Sequence, residues 1–117
     1  MIVKFTFNAN DVTNGIYLSG GEWNCPFLPR IGEEIGCSIL EEWIDTKKFY
    51  ESLTEKSRRE WDEWVVCEMF KGRTEEEARL SALQILFEEM APVVSHILWS
   101  KRNGDIGVLL TLDVSRR

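Results

Sequence analysis

VVSHILWSKRNGDIGVLLTLDV, residues 93–114, consists of two apolar, β-branched-rich runs joined by Asn103-Gly104. Asn and Gly tolerate the positive φ that both central positions of a type I′ turn demand, so this pair is a strong hairpin signal. Placing it at the turn centre fixes the pairing. Arg102 faces Asp105, Trp99 faces Val108, Ile97 faces Leu110 and Ser95 faces Leu112. One face then gathers Ile97, Trp99, Val108, Leu110 and Leu112, which the alternation predicts as core. The other sets Leu98 against Leu109 and His96 against Thr111, so His96 belongs to the more polar side.

Upstream of the hairpin the apolar period changes from two to 3.6. Thr74-Glu75-Glu76-Glu77 is a capping box whose Glu side chains also complement the positive end of a helix dipole. It opens a helix over about 75–90, with Ala78, Ala82, Leu83, Ile85, Leu86, Phe87 and Met90 as its apolar stripe and Pro92 ending it. Thr54 caps a helix over about 54–71, where Trp61, Trp64, Val65 and Met69 share one face and Gly72 supplies the left-handed stop. Asp45 or Thr46 caps a short helix over about 45–53 with Phe49, Tyr50 and Leu53 inward.

The chain begins as strand. Val3, Phe5 and Phe7 alternate with Lys4 and Thr6 over about 2–8. Turn residues from Asn8 to Asn10 and at Asn14-Gly15 lead to a second strand over about 15–20, which Gly20-Gly21 ends. Pro26 and Pro29 forbid regular ladder bonding between 22 and 30, so Trp23, Cys25, Phe27 and Leu28 lie in an ordered loop. Pro29-Arg30-Ile31-Gly32 then turns the chain into a third strand over about 33–40, although Ser38-Ile39-Leu40-Glu41 also reads as a capping box. The chain is therefore expected to form an α+β domain over 1–117. Its sheet is a small antiparallel five-stranded, partly open barrel or curved sheet, with a two- or three-helix insertion between strands three and four.

Phe27-Leu28-Pro29-Arg30-Ile31-Gly32-Glu33-Glu34-Ile35 resembles a segment of small uncharacterised bacterial β-barrel proteins in which a Pro-Arg-apolar-Gly-Glu turn precedes a central strand. Those proteins are also similar in ending on a hairpin whose first strand carries Val-x-His, here Val94-Ser95-His96. The resemblance implies a barrel-like fold and a bacterial origin. It brings no catalytic residue, cofactor or ligand with it, and the long helical stretch between the two motifs departs from the plain barrel pattern.

Composition bounds the function. A chain of 117 residues with 44% apolar and 11% aromatic side chains, five of them Trp, supports its own core. The net charge of −6 repels phosphate backbones and anionic headgroups. Lys56, Arg58 and Arg59 do not reverse this, because Glu55, Glu60, Asp62 and Glu63 lie among them. Neither a signal-peptide pattern nor an apolar run of about 20 residues is present, so a cytoplasmic location is expected and a membrane partner is not. Cys25, Cys37 and Cys67 have no Cys-x-x-Cys spacing, which points to reduced, mostly buried thiols.

No Gly-rich phosphate loop, nucleophile elbow or metal-ligand spacing is present, so no catalytic, cofactor-binding or metal-ligating residue is assigned. His96 is the single imidazole. A small enzyme or ligand-binding domain would have to use it with Cys67 or a carboxylate, and nothing in their spacing favours that arrangement. The preferred expectation is a non-catalytic module that binds a protein partner or itself. Trp23, Arg30, Trp61 and Trp64 are its candidate contact residues, since Trp and Arg are enriched where interfaces concentrate energy. For Trp61 and Trp64 a core position is the stronger expectation.

Overall fold

The computed structural model describes residues 1–8 and 11–116, without the side chains of 16–19, 115 and 116. The Ala9-Asn10 part of the expected first turn lies outside the described residues. The chain runs β1 (Ile2–Phe7), β2 (Ile16–Glu22), α1 (Cys37–Leu40), α2 (Thr46–Ser52), α3 (Glu55–Phe70), α4 (Glu75–Glu89), β3 (Met90–Arg102) and β4 (Asp105–Arg116). Its class is α+β. The strands form one open sheet in the order β2-β1-β4-β3.

The sheet corrects the expected antiparallel five-stranded barrel in two ways. β1 pairs antiparallel with β2 but parallel with β4, which aligns Val3 with Val108, Phe5 with Leu110 and Phe7 with Leu112. Only a long crossover joins parallel neighbours, and here the helices between β2 and β3 lie within it. The expected strand over 33–40 is the second correction: it contributes a single bridge, Glu34 to Val93, and then winds into the one-turn α1. Ile35 and Leu40 are both buried there, with Ile39 partly so. Ile35 lies before α1, its N–H bonded to the Pro92 carbonyl, and the chain winds into the helical turn only after it, so that Leu40 can also face the core, whereas a continuous strand would point Ile35 and Leu40 to opposite faces. Gly36, not Ser38, is the N-cap, and it has no side chain with which to cap the turn.

Gly20-Gly21, expected to end β2, lies inside it. A Cβ on Gly20 would sit 1.4 Å from the Val3 carbonyl oxygen, and one on Gly21 would sit 2.2 Å from the Trp43 indole nitrogen. The two glycines admit a bulge opposite Val3–Phe5 and the close approach of an aromatic ring, so the strand continues where propensity alone ends it.

The helices cover one face of the sheet. α4 begins at the capping box, where Thr74 and Glu77 bond reciprocally, and buries Ala78, Ala82, Leu83, Leu86 and Phe87. Phe49 of α2 joins the layers, its ring 5.8 Å from Phe7, 5.6 Å from Phe87 and 6.1 Å from Trp61. Met69, expected on the α3 core stripe, is exposed, because the C-terminal turn of α3 extends past what it packs against. No helix among the described residues is long and apolar enough to cross a membrane.

α4 passes directly into β3, so Pro92 falls within a strand instead of ending a helix. The Pro92 carbonyl faces the edge and accepts from Ile35 N–H at 2.9 Å, so its missing N–H is also on the edge side and no ladder bond is lost. The hairpin register from Arg102–Asp105 to His96–Thr111 is the one the turn dictates, with Asn103 at φ 54° and Gly104 at φ 85°. A bulge then shifts it, so that Val94 instead of Ser95 faces Leu112. Val94 is fully buried, and the bulge puts this apolar side chain on the core face where an unbroken ladder would put a hydroxyl.

Candidate interaction surface

β3 has 13 residues and, at strand rise, spans about 43 Å. The molecule measures 49 × 26 × 21 Å, so the hairpin runs along its long axis and beyond the helical layer. Met90, Pro92 and Val94 are buried, and from Ser100 to Arg102 every side chain is exposed. Trp99 occupies the core face opposite Val108, as the register requires, yet it is 57% exposed, and Ile106 on the same face is 55% exposed. The expectation that Trp99 is core fails for this reason: register assigns the face, and the extent of the helices decides which part of the face is covered.

The free edge of β3 is divided in two. Near its start the turn segment docks by main chain, with Gly32 N–H donating to the Val94 carbonyl at 2.8 Å and Val94 N–H donating to the Glu33 carbonyl at 2.9 Å. Gly32 makes this possible at φ 93°, and the turn is closed by Glu33 N–H to the Arg30 carbonyl and Arg30 N–H to Glu33 Oε1 at 2.7 Å. Past Val94 no described residue pairs with the edge. Arg102 and Asp105 flank a two-residue turn and exchange hydrogen bonds, so Ser100, Leu98 and His96 also bond towards β4. The main-chain groups of Ile97, Trp99 and Lys101 therefore point to the open side.

Two hollows flank this edge. One, of about 510 Å³, is formed by the turn segment and includes Phe27, Arg30, Ile31, Glu33 and Glu34. Phe27 and Ile31 are largely exposed within it. The other, of about 530 Å³, lies on the uncovered outer face, where Ile2, Lys4, Leu98 and Leu109 meet the hairpin tip.

Of the candidate contact residues, Arg30 is exposed beside the edge. Trp23 is half-buried, its ring 5.9 Å from Trp43 and its Nε1–H donating to the Phe27 carbonyl at 3.0 Å, which braces the loop. Trp61 is buried, and Trp64 packs against the core. The structure thus brings Arg30, but not the two helical Trp residues, to the β3 edge. Leu98 is exposed on the outer face to which the register assigned it, whereas sequence reasoning missed Trp99 and Ile106 as surface residues; the signal for these two was the length of the two runs around Asn103-Gly104, greater than one helical layer can cover.

His96 is exposed on the outer face, with Nδ1 3.2 Å from Ser95 Oγ. Ser95 Oγ donates to the Thr111 carbonyl at 3.2 Å, so its one proton is committed and Nδ1 must be the donor towards it. His96 is not arranged as a base towards that hydroxyl. Cys67 lies exposed on α3. Neither Cys67 nor His96 lines either of these hollows. Among the described residues no three His, Cys, Asp or Glu side chains are grouped to hold a metal ion.

Cys25 is also exposed and Cys37 half-buried, which corrects the expectation of mostly buried thiols: neither Cys25 in its loop nor Cys67 on α3 is covered by a second layer. Burial, and then the Glu41 carboxylate, push the Cys37 thiol up to about 11. A second exposed apolar group, Val66, Met69 and Phe70, follows at i, i+3 and i+4 on the last turns of α3. Comparison with known protein families, with curated proteins and with solved structures returned no match.

Proposed function

We propose that this chain is a non-catalytic protein-interaction module that binds by adding a strand to the open edge of β3. One observation carries the proposal: from Ile97 to Lys101 the edge offers unpaired main-chain donors and acceptors in alternation, flanked by exposed Leu98, Trp99 and Ile106. Strand addition draws affinity from those main-chain groups and specificity from the side chains alongside. A long exposed edge is otherwise an aggregation liability, which proteins blunt unless it is used. The turn resembling bacterial β-barrel proteins and the unpaired thiols favour a bacterial cytoplasm as the setting.

Trp99→Pro tests this directly. It removes the central edge-facing N–H while leaving the β4 ladder bonds in place, because Trp99 and Val108 form a pair that exchanges none. Immobilised native chain is compared with Trp99→Pro for capture from a lysate of the source organism. Partners retained by the native chain and lost by the variant support strand addition; partners retained equally by both refute it.

A further inference from the structure

We propose that the occupant of the β3 edge is a second copy of this chain, joined by antiparallel pairing of β3 with β3 about a two-fold axis at Trp99. The proposal rests on the strand-addition reading and goes further by naming the partner and the register.

The open edge has two fixed limits. At one end Gly32 and Glu33 already occupy the main chain of Val94, and at the other the chain turns at Asn103-Gly104. The stretch between them, 95–103, has Trp99 at its midpoint. In a two-fold antiparallel pair each residue i meets residue j while j meets i, so the register is defined by the residue that meets itself. With Trp99 on the axis, Ile97 meets the second copy's Lys101, and Ser95 meets its Asn103. The whole open stretch is used, and neither turn segment is displaced.

Neighbouring registers do worse. An axis at Ile97 sets Val94 opposite Ser100 of the second copy, which drives that strand into the main chain of Gly32 and Glu33. An axis at Lys101 leaves Ile97 beyond the turn of the second copy and halves the pairing.

Side chains and charge agree with the axis at Trp99. The two Trp99 rings meet directly across the axis on the core face, beside both copies of Ile106, and these side chains are more than half exposed in the single chain. Cross-strand aromatic pairs are among the stabilising neighbours in sheets. The tip carries Lys101 and Arg102, and in this register it reaches the turn segment of the other copy, where Glu33 and Glu34 are exposed. Both contacts form twice by symmetry, and they oppose the repulsion between two chains of net charge −6.

The test uses the full chain by sedimentation equilibrium from about 1 μM to about 500 μM. The expected mass rises from 13.6 kDa towards twice that value, whereas Trp99→Pro stays at the single-chain mass throughout. Register is read by cross-linking in a Cys25→Ser, Cys67→Ser background. Trp99→Cys forms an intermolecular disulfide under mild oxidation, since a self-facing pair about 5.5 Å apart at Cα lies within disulfide reach. Ile97→Cys does not cross-link to itself, and a mixture of Ile97→Cys with Lys101→Cys does. A native chain that remains monomeric, a dimer that survives Trp99→Pro, or self-cross-linking of Ile97→Cys as efficient as that of Trp99→Cys overturns the proposal. If the native chain is monomeric while lysate capture still depends on Trp99, self-pairing is overturned and the strand-addition reading stands; if capture does not depend on Trp99, both fall.

Discussion

Replacing Glu41 with Gln should speed the alkylation of Cys37 without bringing it to the rate of an exposed thiol. Cys37 opens α1 half-buried, with Sγ 3.7 Å from Glu41 Oε2. Its pKa is pushed from 9.0 up to about 11, first by burial, then by the charge of Glu41, its hydrogen bond, and more weakly Glu88. Thiolate is the nucleophile, and two pKa units lower its fraction roughly a hundredfold at any pH well below 9. A brief iodoacetamide pulse at about pH 8, read site by site by mass spectrometry, should therefore modify Cys25 and Cys67 first and Cys37 about a hundredfold more slowly. Glu41→Gln removes the charge while its amide oxygen can still accept from the thiol, and burial is unchanged, so the rate at Cys37 rises only part of the way. In denaturant, burial and the Glu41 contact are both lost, and the three rates converge. Native Cys37 reacting on the timescale of Cys25 and Cys67, or a rate unaltered by Glu41→Gln, would refute this account of α1.

Thr74→Ala removes the cap of α4 and should cost about 1 kcal/mol, a drop of roughly 3–5 °C in Tm by calorimetry. The Thr74 hydrogen bonds hold the Glu77 carboxyl below its usual 4.5, so the stability they add is present above that value and is lost as pH falls through the lower folded value. The gap between native and variant should accordingly narrow in acid; a gap that widens there would contradict the capping box. Gly20→Ala forces a Cβ to within 1.4 Å of main-chain oxygen, so β1 and β2 must part, at a cost of about 3 kcal/mol. Gly36→Ala, whose Cβ meets nothing nearer than 3.8 Å, should stay within about 0.5 kcal/mol of native in the same urea titration, and equal effects at the two positions would disprove the close approach at Gly20.

What could be read from the residues in order was whatever local chemistry dictates. The Asn103-Gly104 turn set the register of Trp99 against Val108, and Thr74-Glu75-Glu76-Glu77 placed the start of α4, because each signal acts over a few bonds. Alternation in Val3-Lys4-Phe5-Thr6-Phe7 likewise told strand from helix and inside from outside. Tertiary structure decided the rest. That β1 lies parallel to β4 depends on which strands meet across a long crossover, and the pattern within either strand is the same for a parallel or an antiparallel neighbour. Gly20-Gly21 reads as a strand end until the Val3 carbonyl and the Trp43 indole are seen against it. After Ile35 the chain winds into α1 instead of continuing a third strand, which leaves both Ile35 and Leu40 buried, and the slip from Ser95 to Val94 answers to the same core. Trp99 shows the division most plainly: turn chemistry fixes its face and its partner, but whether that face is core or open surface depends on how far the helices reach along the sheet, and helix reach is a property of packing between segments distant in the chain.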